Sequence, residues 1–82
     1  MNVIENVCKR VGKEFGVDFQ LFQYEVWGGC ILWRFISSLG NVLEIEYDDS
    51  ANRLYVKYPY KNIALRIIRE LRNTFIFKGL RV

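Results

Sequence analysis

Histidine is absent from the 82 residues, there is one proline, and the two cysteines stand far apart at Cys8 and Cys30. Without imidazole there is no histidine general base and no Ser-His or Cys-His pair to activate a nucleophile. Two separated thiols do not make a zinc site, and their spacing matches no short redox motif. A glycine-rich phosphate loop is also missing. The chain therefore reads as non-enzymatic, with no cofactor and no catalytic or metal-ligating residue. The cysteines read as buried or half-buried free thiols. A Cys8–Cys30 disulfide is the alternative, where the fold brings them together under oxidising conditions.

Long apolar runs are missing too. The longest, Cys30 to Ile36, is broken by Arg34 and is too short to span a bilayer. Met1-Asn2-Val3-Ile4-Glu5 turns polar at once, unlike a signal peptide. The expectation is a cytoplasmic protein with no membrane partner.

What is present is apolar and aromatic: 51% of residues are hydrophobic and 16% are aromatic. That composition specifies a packed globule, not a disordered chain. Residues 1–82 form one small domain, and a core this thin gains from oligomerisation.

Val3, Ile4, Val7, Cys8, Val11 and Phe15 recur at the helical period and predict a first helix. Asn2 and Glu5 form a capping-box variant. Glu5–Lys9 and Arg10–Glu14 stand at i,i+4, and Gly16 ends the helix. A β-meander follows. Phe19 to Trp27 is the first strand, although Phe19, Phe22 and Val26 also fit a short helix. Gly28-Gly29 is a two-residue turn, which sets Val26 opposite Ile31, Tyr24 opposite Trp33 and Phe22 opposite Phe35. A three-residue loop, Leu39-Gly40-Asn41, leads into a strand from Val42 to Asp48 and sets Arg34 opposite Glu46. A four-residue loop then leads into a strand from Arg53 to Tyr58, with Glu44 opposite Lys57 and Asp48 opposite Arg53. Pro59 ends it. Asn62 caps a second helix from about Ile63 to Phe75. The predicted fold is α+β, in the order α-β-β-β-β-α: a four-stranded antiparallel meander with both helices on one face. The tail, residues 76–82, is read as an extra strand, an exchanged arm, or a segment docked on the domain.

Charge is split along the chain. Residues 1–52 carry four Lys/Arg and eight Asp/Glu, whereas residues 53–82 carry eight Lys/Arg and only Glu70. On the second helix Lys61, Arg66, Arg69 and Arg72 share one sector, and Lys78 and Arg81 follow in the tail. Arg presents a planar fork of donors to phosphate oxygens, and neutralised phosphates release counterions. These six residues are the predicted nucleic-acid contacts, for RNA or DNA. The competing reading is an ordinary solvated helix face with cations near its C-terminus. Tyr55, Tyr58 and Tyr60 stand among Arg53, Lys57 and Lys61 and offer base stacking, although the alternation turns Tyr58 inward. Phe19, Leu21, Trp27, Leu32, Ile36 and Tyr55 are expected on the outer sheet face, where they predict a homodimer or a protein partner. Glu44, Glu46 and Asp48 share a strand face that suits a divalent cation. Alternate strand residues lie roughly 7 Å apart, however, and cross-strand cations account for them.

The helix–sheet–helix order resembles the double-stranded-RNA-binding domain and the small RNA-binding proteins of the signal recognition particle. In the double-stranded-RNA-binding pattern, basic residues surround an alanine at the start of the last helix. Lys61 and Ala64 match; Asn62 and Leu65 depart where lysines are expected, and four strands replace three. The resemblance implies an RNA partner. A regulator or inhibitor that binds protein through the outer sheet face or the tail is the alternative.

Overall fold

The computed structural model describes residues 3–74. Its elements are α1 (Val3–Phe15), β1 (Phe19–Trp27), β2 (Cys30–Ser37), β3 (Val42–Asp48), β4 (Arg53–Lys57) and α2 (Lys61–Thr74). The four strands form one antiparallel sheet in chain order, so β1 and β4 are its edges among the described residues. The expected α+β fold and element order are observed. Asn2, Phe75 and the tail lie outside the described residues, and with them the capping box.

One core forms between the helices and the inner sheet face. Ile4, Val7, Cys8 and Val11 of α1 and Ile63, Ala64, Ile67 and Leu71 of α2 meet Phe19, Trp33, Phe35, Leu43, Ile45 and Leu54 of the sheet. The helices pack on each other, α1 also against β1 and α2 against β4.

The end of α1 is a Schellman motif. Gly16 adopts φ 69°. The Val17 N–H donates to the Gly12 carbonyl at 2.8 Å and the Gly16 N–H to Lys13 at 3.4 Å. These bonds satisfy carbonyls that the helix leaves open. Val17, now buried, turns the chain into β1.

Three expectations are corrected. The first concerns β1. From the Gly28-Gly29 turn the register runs as expected through Val26–Ile31 and Tyr24–Trp33. A β-bulge between Leu21 and Gln23 then pairs Leu21, not Phe22, with Phe35. One extra residue reverses the phase of a period-two strand. Phe19 and Leu21 therefore leave the outer face. Phe19 is fully buried and Leu21 packs against the core, while Phe22 is 55% exposed.

The second correction is the β2–β3 loop. Its three residues are Ser38-Leu39-Gly40, closed by the Ser37 N–H donating to the Asn41 carbonyl at 2.9 Å. Gly40 adopts φ 86°, the left-handed position such a loop requires. Arg34 consequently pairs with Glu44 and not Glu46. The shift is two residues, so every side chain keeps its face.

The third is the start of α2. The Tyr60 carbonyl accepts from Ile63 and Ala64 N–H at 3.2 and 3.1 Å. The helix therefore begins at Lys61, and Asn62 lies in its first turn instead of capping it. Cross-strand pairs Glu44–Lys57, Ile45–Val56, Tyr47–Leu54 and Asp48–Arg53 are all as expected.

Candidate nucleic-acid interface

The structure places the four expected contact residues of α2 in two different environments. Lys61, Arg69 and Arg72 are exposed, and none makes an ion pair among the described residues. Arg66 is engaged. Its Nε and Nη2 donate to the two carboxylate oxygens of Glu14 at 3.0 and 2.9 Å, and its Nη1 donates to Glu70 at 2.7 Å. Arg10 joins through Nη2 to Glu70 at 2.9 Å. A fork bonded on both sides has little left for a phosphate. Lys78 and Arg81 lie outside the described residues.

These bonds replace the expected Arg10–Glu14 pair within α1 by a network between helices. They also fix an antiparallel register in which residue 10 meets 70 and residue 14 meets 66. Lys9 and Lys13 stand on the other flank of α1, beside Gly16, Val17, Asp18 and Ser38, away from the flank where Arg10 and Glu14 meet α2. Lys9 and Lys13, both exposed, extend the basic surface onto α1. Neither was among the expected contacts. Their i,i+4 spacing opposite the apolar stripe was the available signal, but helices 50 residues apart in sequence share no wheel.

Charge is thus sorted by layer. The two helices hold seven basic and three acidic residues, a net +4. The strands with Asp18 and Asp49 hold three basic and six acidic residues, a net −3. Within the helix layer Glu14 and Glu70 are taken up by Arg10 and Arg66. Lys9, Lys13, Lys61, Arg69 and Arg72 remain, against Glu5.

Hydrogen bonds from Arg66 and then from Arg10 hold the Glu70 carboxyl below its ordinary value of 4.5. A carboxylate whose folded pKa is depressed stabilises the fold above its unfolded pKa, and the gain is lost as pH falls through the folded value. The denaturation midpoint in urea is expected to be level above about pH 5 and to fall below it. Asp48 contributes in the same sense, held down first by the Ser50 hydroxyl and then by backbone N–H groups. Glu70→Gln is expected to flatten part of that acid limb. Titrations of both proteins between about pH 3 and 7 check this; equal limbs would remove Glu70 from the account.

The outer sheet face is organised in cross-strand rows. Gln20, Ile36 and Val42 form one, and Gln23, Arg34, Glu44 and Lys57 the next. Glu25, Leu32, Glu46 and Tyr55 follow, then Trp27, Cys30, Asp48 and Arg53. Trp27, Leu32, Ile36 and Tyr55 do stand on this face, but not as one patch. The second row is polar throughout: the Arg34 Nε donates to Glu44 at 2.8 Å and its Nη1 to Gln23 at 3.0 Å. That row separates Ile36 from Leu32 and Tyr55, and Leu32 is itself buried. The apolar residues most exposed on the sheet lie on the other face, at the β1–β2 hairpin: Phe22 55%, Tyr24 53% and Val26 61%.

Tyr58 points into the core as expected, edge-on to Phe19 with ring centroids 5.4 Å apart. Tyr55 and Tyr60 are exposed. Cys8 is buried in the core, while Cys30 lies half-buried in an outer-face row, and both are free thiols. The sheet stands between them, so no disulfide forms. Burial, then Glu5, pushes the Cys8 thiol far up. Among the described residues no group of three or more His, Cys, Asp or Glu is placed to hold a metal ion. No described helix is long and apolar enough to cross a membrane.

No protein-family model, no curated protein and no solved structure matches this chain.

Proposed function

We propose that this protein is a non-enzymatic nucleic-acid binder whose helix layer contacts phosphates. The observation that carries the reading is the sorting of charge by layer: +4 on the helices against −3 on the strands and their connections. Lys61, Arg69 and Arg72 are exposed on α2, and Lys9 and Lys13 are exposed on the flank of α1 away from it. Such a surface attracts a polyanion without reading its sequence. Lys78 and Arg81 add two cations that follow α2 in sequence. A cytoplasmic setting fits the free thiols.

Fluorescence anisotropy with RNA and DNA oligonucleotides at several salt concentrations tests the reading. The variant Lys9→Gln/Lys13→Gln/Arg69→Gln/Arg72→Gln should bind more weakly. Its salt dependence should flatten by roughly 0.7–0.9 in log–log slope for each phosphate it no longer neutralises. Arg66→Gln should leave the slope nearly unchanged, because Arg66 is already neutralised. Equal slopes for wild type and the fourfold variant would end the proposal.

A homodimer is retained, with its interface moved from the outer face to β1. Edge strands are ordinarily protected by short length and charge. β4 has five residues, two of them basic; β1 has nine, with Glu25 its one charge. The bulge protects the first part of β1, which leaves Gln23 to Trp27, flanked by exposed Tyr24 and Val26. Pairing two copies there covers those side chains and extends the core. Sedimentation should show twice the 9.8 kDa monomer mass, and Tyr24→Lys/Val26→Lys should sediment as a monomer. A monomeric wild type at high concentration would exclude the dimer.

A further inference from the structure

The other sheet edge, β4, stands beside an open groove. Among the described residues β4 is paired on one side only, with β3. Alternate residues of an edge strand hold out unpaired N–H and C=O groups. Alongside that edge runs a groove between β4 and α2, lined by Val56, Lys57, Tyr58, Lys61, Leu65 and Ile68, with Ala64 at its floor. No acidic side chain among the described residues lines it. Leu65 is 64% exposed although it is a leucine on a helix that buries four others of its residues. Tyr58 is 9% exposed and its hydroxyl finds no hydrogen-bond partner among the described residues, an arrangement that costs free energy unless something supplies one.

We infer that β4 accepts an added strand from an acidic, extended segment of another protein, one that alternates carboxylate and apolar side chains. The alternation follows from the pleat. A strand laid on β4 has one face towards α2 and one towards the outer sheet face. On the α2 side it meets Leu65 and Ile68, which call for apolar residues. On the outer side it lies opposite Arg53 and Lys57, and opposite charges across a ladder are favourable. Lys57 and Lys61 make no ion pair among the described residues. The chain itself shows that this pattern suits β4. Its natural neighbour β3 reads Val-Leu-Glu-Ile-Glu-Tyr-Asp, with carboxylates on the outer side and apolar residues on the inner.

Two other occupants fit poorly. A second copy, paired through β4 about a two-fold at Tyr55, sets Arg53 of one chain against Lys57 of the other, and like charges opposed across a ladder are unfavourable. The last eight residues of this chain carry Lys78 and Arg81 and no acid. The mode is strand addition with pockets for alternate side chains, and it leaves Lys9, Lys13, Arg69 and Arg72 outside the groove, with Lys61 alone common to both surfaces.

The test uses two capped nine-residue peptides, alternating Glu/Val and alternating Lys/Val, titrated into the full chain and followed by amide and methyl NMR shifts. The Glu/Val peptide should shift Tyr55 and Lys57 amides and Leu65 and Ile68 methyls, and should bind about tenfold tighter than Lys/Val, as two cross-strand charge pairs allow. Arg53→Glu/Lys57→Glu, both exposed, should invert the preference, and Leu65→Asp should abolish methyl shifts without unfolding the chain. Shifts confined to Lys9, Lys13, Arg69 and Arg72 would show general electrostatic attraction and overturn the inference. So would absence of binding, or an unchanged preference in the charge-reversed protein. A nucleic-acid competitor that displaces neither peptide separates this surface from the other.

Discussion

Gly12→Ala is expected to destabilise the protein by about 2–3 kcal/mol, although alanine is the better helix former by about 1 kcal/mol. A Cβ at Gly12 would stand 2.2 Å from the Val17 carbonyl oxygen and 3.1 Å from a ring carbon of Phe19. The first of these is backbone, pulled over the helix by the bond from Val17 N–H to Gly12 itself. Relief means opening the Schellman turn, and that moves Val17 and Phe19 out of the core. For a domain of this size the loss corresponds to a fall in Tm of roughly 10–20 °C. Gly16→Ala is the informative companion. Gly16 needs a positive φ but meets no atom within 4 Å, so its cost is the left-handed penalty of about 1–2 kcal/mol. Urea titrations of both variants check the order. A stabilised Gly12→Ala, which helix propensity alone demands, would contradict the turn described here.

Phe19→Ala is expected to cost about 3–5 kcal/mol, against about 4–12 kcal/mol of total stability for a chain this long. Phe19 is fully buried and packs edge-on against Tyr58. Three residues on, Phe22→Ala should cost under about 1 kcal/mol, because Phe22 is more than half exposed. The contrast tests the bulge. An unbroken period of two from the Gly28-Gly29 turn turns Phe22 inward and Phe19 outward, and reverses the two costs. Denaturant midpoints with unchanged m-values decide between the registers.

The bulge was visible in the sequence through polar parity. Asp18 and Gln20 occupy even positions, whereas Gln23 and Glu25 occupy odd ones. The break falls at Leu21-Phe22, where two apolar residues adjoin. A register propagated from the turn crosses that break unmarked, since one extra residue changes no composition. The β2–β3 loop is a milder case. A loop of three residues and a left-handed Gly40 are legible, but the placement of Ser38-Leu39-Gly40 depends on Ser37 bonding Asn41, and a two-residue slip leaves the pattern intact.

The basic surface divides in the same way. A helical wheel puts Arg66 in one sector with Lys61, Arg69 and Arg72. It cannot say which flank another helix will occupy, and Glu14 arrives from 52 residues away. Nor can it add Lys9 and Lys13 to the same layer.

Local periodicity, turn residues and caps determined the element order, the meander and most strand pairs, because each is set by neighbours within a few residues. The outer face of β4, with Arg53, Tyr55 and Lys57 in line, was legible for the same reason. Tertiary structure alone decided which cations are neutralised and which part of the inner face the helices leave open. Those outcomes depend on docking two helices onto a sheet, where ion pairs and buried area join residues that no local pattern connects.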